Sequence, residues 1–409
     1  FAVIGGSALA AGTLTGRGPG PSTVGVPAAA PGGLPPVADV WPDAVHKVSG
    51  KLADGRGYRI ETMVDDHRLL IATEASFENA NELWLLDLTT SKARRVVKLP
   101  EPHAGRQTFA SHFTVGSGQI VWWDTYTEDK KGYTRIWKAP LTGGEPTLVS
   151  TVTGAYGTYG STGDRLLVHG DHIYLSAAHA GGIRKLPLGG GEPELMADTE
   201  GYHLLAWPWI AKSTGDPGGP DCALEPDGAP KCDWEGNDTE TCTTDPMTQL
   251  PVCNRGDAEP TQPADEEEFR PLVFVDMRSL EDGEERPAKL PDRDFVSVFC
   301  AVTYCVGDTE DGKSYSWQRD GSDEKLLPGA VAMMMDPPGG DRFVFLTKDE
   351  GGSPWLYDLK TGKSASLGIK AAPDGGMSVP AFATADSRAF HWSLDNTRSY
   401  LVFDMAAVK

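Results

Sequence analysis

Apolar residues along the chain fall in short runs, each closed by a polar turn, and one pattern recurs. An apolar strand leads into Asp or Pro, then one more apolar residue, then a turn. The copies are Leu83-Trp84-Leu85-Leu86-Asp87-Leu88, Ile136-Trp137-Lys138-Ala139-Pro140-Leu141, Ile183-Arg184-Lys185-Leu186-Pro187-Leu188 and Leu272-Val273-Phe274-Val275-Asp276-Met277. A weaker copy is Tyr315-Ser316-Trp317-Gln318-Arg319-Asp320, and the last two are Trp355-Leu356-Tyr357-Asp358-Leu359 and Leu401-Val402-Phe403-Asp404-Met405. The steps between copies are 53, 47, 89, 43, 39 and 46 residues. Apart from the step of 89, which an insertion explains, the spacing is even.

Each copy sits among further strands. Gln119-Ile120-Val121-Trp122-Trp123 and Arg342-Phe343-Val344-Phe345-Leu346 precede copies, and turns such as Thr142-Gly143-Gly144-Glu145-Pro146 lead to an outer strand. About four antiparallel strands in about 45 residues is the signature of a propeller blade. The reading is an all-β fold, a seven-bladed β-propeller of four-stranded antiparallel blades over residues 43–409. Six blades is the alternative, with the weak fifth copy left out. The last copy ends too near Lys409 for an outer strand of its own, and Asp43-Ala44-Val45-His46-Lys47-Val48-Ser49 has that strand's character. An N-terminal strand is therefore expected to close the ring and remove its exposed edge.

Composition supports this. Gly 48 and Pro 31 in 409 residues disfavour a helical protein, and 39 % hydrophobic residues exclude wholesale disorder. A net charge of −21 excludes a nucleic-acid partner of the usual basic kind. Much of that charge lies in the insertion, residues 213–268, with fifteen acids against Lys231 and Arg255. By strand assignment the insertion joins the second and third strands of the fourth blade.

The insertion holds Cys222, Cys232, Cys242 and Cys253; the remaining pair is Cys300 and Cys305, flanking a tight turn. Six cysteines, even in number, are read as disulfides. A bond across the Cys300–Cys305 turn is sterically reasonable, and three pairings remain open for the other four. Zinc fits poorly, with no short Cys chelate and no His nearby. Asp233, Glu235, Asp238 and Glu240 supply hard oxygen ligands at a density that suits calcium, although the EF-hand order is absent. A solvated acidic loop is the competing reading.

Residues 1–12 are apolar and small, too short to span a bilayer, and read as the remnant of a signal or membrane segment. Residues 13–42, rich in Gly, Pro and Ala, read as a tether. Both place the body outside the cytoplasm, secreted or held at the membrane only through this anchor. Self-assembly through the apolar N-terminus is a further option.

No complete catalytic set is legible, so no catalytic residue is assigned and a non-catalytic role is favoured. Gly-x-Ser-x-Gly is missing. Gly362-Lys363-Ser364 lacks the glycine a phosphate loop needs. His169 and His172, with His179, form a modest cluster at a turn, where alternation is expected to send His169 and His172 to opposite faces. The aromatics Trp122, Trp123, Trp207, Trp209, Tyr156 and Tyr159, at strand ends or in loops, are candidate binding residues for sugars or peptides. Packing between blades is the alternative for them. Adjacent Trp122 and Trp123 point to opposite faces, so one of them could be less buried.

Several stretches carry a family resemblance: Val40-Trp41-Pro42-Asp43-Ala44-Val45-His46-Lys47, Thr73-Glu74-Ala75-Ser76-Phe77-Glu78, Phe109-Ala110-Ser111-His112-Phe113-Thr114, Ala206-Trp207-Pro208-Trp209-Ile210, and Cys300 with Cys305. Together they resemble actinobacterial extracytoplasmic TolB-like or WD40-like propellers, often found beside extracytoplasmic-function sigma factors. The resemblance covers residues 40–409 except the insertion. It implies fold and compartment and transfers no catalytic residue. The combined expectation is a binding or sensing propeller at the cell envelope with a protein or cell-wall glycan partner. A lectin-like propeller, a hydrolase or lyase with acids in the central pocket, and a self-assembling subunit are the alternatives.

Overall fold

In a computed structural model of the chain, the described residues are 33–74, 80–101, 109–128, 131–153, 165–176, 182–214, 221–224, 230–233, 241–244, 251–254, 272–331, 338–348, 353–369, 387–393 and 399–409. Strand β1 (Val45–Ser49) comes first. The first unit is β2 (Tyr58–Asp65), β3 (Arg68–Glu74), β4 (Ala80–Asp87) and β5 (Ala93–Lys98), paired in that order. The second is β6 (Phe109–Gly116), β7 (Gln119–Glu128), β8 (Lys131–Pro140) and β9 (Thr147–Thr153). The third is β10 (Arg165–His169), β11 (His172–Ser176), β12 (Ile183–Pro187) and β13 (Glu194–Leu195).

A seven-stranded sheet follows. It takes β14 (Tyr202–Ala206) and β15 (Trp209–Thr214), passes over four short strands, β16 (Asp221–Leu224), β17 (Pro230–Asp233), β18 (Thr241–Thr244) and β19 (Pro251–Asn254), and continues with β20 (Leu272–Ser279). It is completed by β21 (Phe295–Cys300), β22 (Tyr304–Thr309), β23 (Ser314–Gln318) and β24 (Lys325–Leu326). Then come β25 (Ala330–Val331), β26 (Phe343–Thr347), β27 (Trp355–Asp358) and β28 (Ser364–Ser366), a further four-stranded sheet. Finally β29 (Ala389–Ser393) and β30 (Ser399–Asp404) pair with β1.

This is the strand order of a β-propeller: consecutive antiparallel meanders, each sheet built from neighbours in sequence. The large sheet joins two meanders through a short parallel contact, Leu272 with Val298 and Val273 with Phe299. Counted as one sheet it gives six units; divided at that contact it gives seven. The recurring sequence motif falls on β4, β8, β12, β20, β23, β27 and β30; in all but β30 this is the strand that follows the first described hairpin of its meander. β1 lies antiparallel to β30 from Val45 opposite Phe403 to Ser49 opposite Ser399, so the N-terminal strand does close the last unit.

The core is a series of clusters between successive sheets. Leu69, Leu70, Ile71 and Ala72 are all fully buried in β3, without the alternation of a half-exposed strand. Leu70 and Ala72 pack with Ile120 and Trp122 of the second unit, while Leu69 and Ile71 pack with Val402 of the last. Both faces of the sheet are covered, which is why these strands read as unbroken apolar runs.

The folded body starts earlier than the Gly/Pro pattern set it. Pro36 bridges to Ser366, and Val37–Val40 forms one short helical turn. Val37 and Trp41 are buried in the core of the last two sheets, with Trp41 edge-on to Phe343 and Phe403 at 5.9 and 5.5 Å. Val37 and Trp41, with the Pro36–Ser366 bridge, dock this Pro-rich stretch on the body. Residues 1–32, the expected anchor remnant and most of the tether, lie outside the described residues.

Candidate functional site

In a meander the turns after the first and third strands of each unit open on one face. There the β10–β11 and β14–β15 turns meet. His169 and His172 flank the Gly170-Asp171 turn as a directly opposed pair. Opposed residues of a ladder share a face, so the expectation of opposite faces is corrected: the two-residue turn intervenes, and simple alternation does not run through it. Tyr174, two residues on, takes the same face.

Trp207 sits in the turn between β14 and β15, next to Pro208 across a cis peptide bond. Its indole stacks on His169 with centroids 4.1 Å apart and planes 16° from parallel, and Tyr174 lies 4.6 Å away. The indole Nε1 donates to Glu281 Oε1 at 3.1 Å, and Leu280 packs alongside. His172 pairs with Asp171 at 2.5 Å. Burial, with Asp171 and Glu281 nearby, raises the Tyr174 phenol above its ordinary value, so it remains a neutral donor. His169 is exposed and Trp207 half-buried, while Tyr174 is buried beneath them. The result is an aromatic platform rimmed by carboxylates, built from two units.

The other predicted aromatics divide. Trp122 and Trp123 are both fully buried, and neither is open to a ligand. They do point to opposite faces, but both faces of a propeller sheet are interior: Trp122 packs toward the first unit and Trp123 toward the third. Trp209 is half-buried under the Arg286 guanidinium, 4.4 Å above its ring. Tyr156 and Tyr159 lie outside the described residues, as do Glu235, Asp238 and Glu240. Asp233 stands opposite Asp221 at the open end of a hairpin. Among the described residues no three His, Cys, Asp or Glu side chains are close enough to hold a metal. Cys300 and Cys305 are disulfide-bonded across the β21–β22 turn.

A concavity of about 350 Å³ lies on the turn face of the first unit, lined by Asp65, Asp66, His67, Arg68 and Asp87. Its acids have structural work. Burial pushes Asp65 up, but its bonds with Arg68 and the His67 amide outweigh this and hold it below the carboxylate range. Asp66 is lowered by Arg388. Asp87 accepts from the amide and hydroxyl of Thr90 and is lowered by them.

The same device recurs around the ring and explains the motif's Asp. Asp358 and Asp404 end β27 and β30, accept from turn amides at Lys360 and Ala406, and pair with Arg342 and Arg388 just before β26 and β29. Where the motif has Pro140 or Pro187, the residue just before the second strand is Gly118 or Asp171 instead of arginine. Asp276 departs from this rule: it is exposed in mid-strand opposite Lys212. The Asp–Arg coupling was missed in the sequence, although the strand-start arginines were visible there.

No protein-family model matches the sequence. No curated protein matches it either. Among solved structures, it is similar to the computationally designed Ika8 protein at 9 % identity and TM-score 0.35, covering 88 % of this chain and all of that one. It is also similar to the WD40 β-propeller domain of Doa1, at 10 % identity and TM-score 0.35, covering 88 % and 97 % of the two chains. A third is an oligogalacturonate lyase in complex with manganese, at 12 % identity and TM-score 0.32, covering 90 % and 92 %. Strand order and register define the propeller fold.

Proposed function

We propose that this propeller is a binding or sensing module that works outside the cytoplasm, and that the His169–Trp207–Tyr174 platform is its contact surface. The platform carries the reading: rings from two units converge on an exposed turn face with a carboxylate held beside them. Amphipathic rings with one wet edge suit a ligand that has both an apolar face and hydroxyl or amine groups. The Cys300–Cys305 bond supports an oxidising compartment. The resemblance to envelope propellers supports the same placement, with a protein or cell-wall glycan as partner.

A glycan is the second reading, favoured by the near-parallel stacking of His169 on Trp207, which extends one flat surface. The test is a titration of tryptophan fluorescence with soluble cell-wall oligosaccharides and, separately, with envelope proteins in pull-down. Saturable binding lost in Trp207→Ala and His169→Ala, with unchanged thermal unfolding, supports the site. Binding that survives both substitutions removes the platform from the proposal.

A further inference from the structure

The insertion between β15 and β20 contains two separate hairpins with the same plan. β16 and β17 pair over four rungs: Asp221 with Asp233, Cys222 with Cys232, Ala223 with Lys231, Leu224 with Pro230. β18 and β19 also pair over four: Thr241 with Asn254, Cys242 with Cys253, Thr243 with Val252, Thr244 with Pro251. In both, the two cysteine positions are paired at the second rung from the open end, and a proline closes the last rung.

The sequence repeats in step with the backbone. An acid and a proline follow the first cysteine, Glu225-Pro226 after Cys222 and Asp245-Pro246 after Cys242. A proline stands two before the second cysteine, Pro230 before Cys232 and Pro251 before Cys253, and Asp233 or Asn254 follows it. Ladder register and residue order therefore give the same duplicated unit.

Directly opposed residues in an antiparallel ladder have Cα atoms about 4.5–5.5 Å apart. That falls within the roughly 4.4–6.8 Å a disulfide spans. The two alternative pairings would each tie one hairpin to the other and leave the opposed cysteines unjoined. Each hairpin is a two-stranded sheet without a third strand, an arrangement that is marginal in water unless something else holds it.

We propose that the insertion is two tandem copies of one disulfide-closed hairpin, with bonds Cys222–Cys232 and Cys242–Cys253. Each bond forms when two thiols give up two protons and two electrons to an external disulfide such as glutathione disulfide, which leaves as two thiols. The inference is independent of the aromatic platform and of any ligand.

The test is peptide mapping of the full chain, alkylated without reduction and cleaved at acidic residues, which separates the hairpins between Asp233 and Glu240. The expected products link Cys222 with Cys232 and Cys242 with Cys253, and no thiol in the insertion is alkylated. A peptide linking the two hairpins, or alkylated cysteines in either, overturns the proposal. Cys222→Ser combined with Cys232→Ser supplies the second measurement. It should leave Cys242–Cys253 fully formed, whereas either cross-hairpin pairing predicts two newly alkylated thiols.

Discussion

The Arg319 guanidinium donates to the Phe274 carbonyl at 2.9 Å, one residue past the Val273–Phe299 rung that joins β20 to β21. Phe274 is fully buried with φ at +60°, outside the extended region. β20 pairs antiparallel with β15 from Leu272 opposite Thr214 to Ser279 opposite Trp209, and parallel with β21 at Leu272 and Val273 alone. Arg319 also donates to Val275 at 2.8 Å and to Ala301 at 3.1 Å. One side chain thus supplies donors to carbonyls at the join of two meanders. Burial pulls Arg319 down to about 10, which still leaves it charged at neutral pH.

Replacing it should be costly. Arg319→Met leaves those carbonyls without this donor, and buried unsatisfied groups cost about 1–3 kcal/mol each, partly shared when several relax together. We expect a loss of about 3 kcal/mol in urea unfolding, with Arg319→Lys recovering only part of it because an ammonium lacks the fork. A loss below about 1 kcal/mol for Arg319→Met would remove the join from the account of stability.

Asp308 gives a pH signature. Burial pushes its carboxyl up to about 6, against the opposing bond from Ser314. The native state therefore holds this proton more tightly than the unfolded chain. Its stabilising contribution is complete below about pH 4 and is lost as pH rises through 6. Asp308→Asn should raise stability at pH 7 by about 2 kcal/mol and change little at pH 4. Thermal midpoints of both proteins across pH 4–8 check this; parallel curves would contradict it.

His391 works in the opposite sense. Burial pulls its imidazole down to about 4, and its ring stands edge-on to Tyr400 at 5.8 Å. The unfolded chain takes up this proton first, so stability falls as pH drops from about 6.5 toward 4. His391→Phe keeps a ring there and should flatten that decline by about 2 kcal/mol. An unchanged acid slope in the variant would show that other groups set it.

Gly116 marks a close approach between the second and third units. A Cβ there would stand 2.7 Å from Val168 Cβ and 2.8 Å from its carbonyl oxygen. Gly116→Ala must displace backbone and should cost about 1–3 kcal/mol, the usual range for overpacking. Calorimetry comparing it with Gly118→Ala, where no atom lies within 4 Å, separates contact from conformation, since Gly118 has φ at +73°. Near-native stability of Gly116→Ala would mean the units separate easily.

The meander was legible because every unit buries both faces of its sheet, so its strands appear as apolar runs between turns. Ile136-Trp137 and Leu356-Tyr357 were found this way, and β1 was found because the last repeat lacked an outer strand. The same double burial misled the reading of Trp122 and Trp123, since alternation distinguishes two faces only where one of them is wet. The platform was hidden for another reason. His169 and Trp207 belong to different units, and no local pattern records which turns become neighbours. The parallel contact at Val273 and the turned backbone at Phe274 had no sequence signal, because a buried phenylalanine reads as an ordinary strand residue.

The pairing of β1 with β30 also sets a schedule. Val45 is synthesised before the strands of every other sheet and Phe403 after nearly all of them, so the ring stays unsealed while the intermediate sheets are being made. Throughout that interval β1 has backbone donors and acceptors without their native partner. The ladder that joins the two extremes of the folded body therefore cannot form until the strands between them have been made.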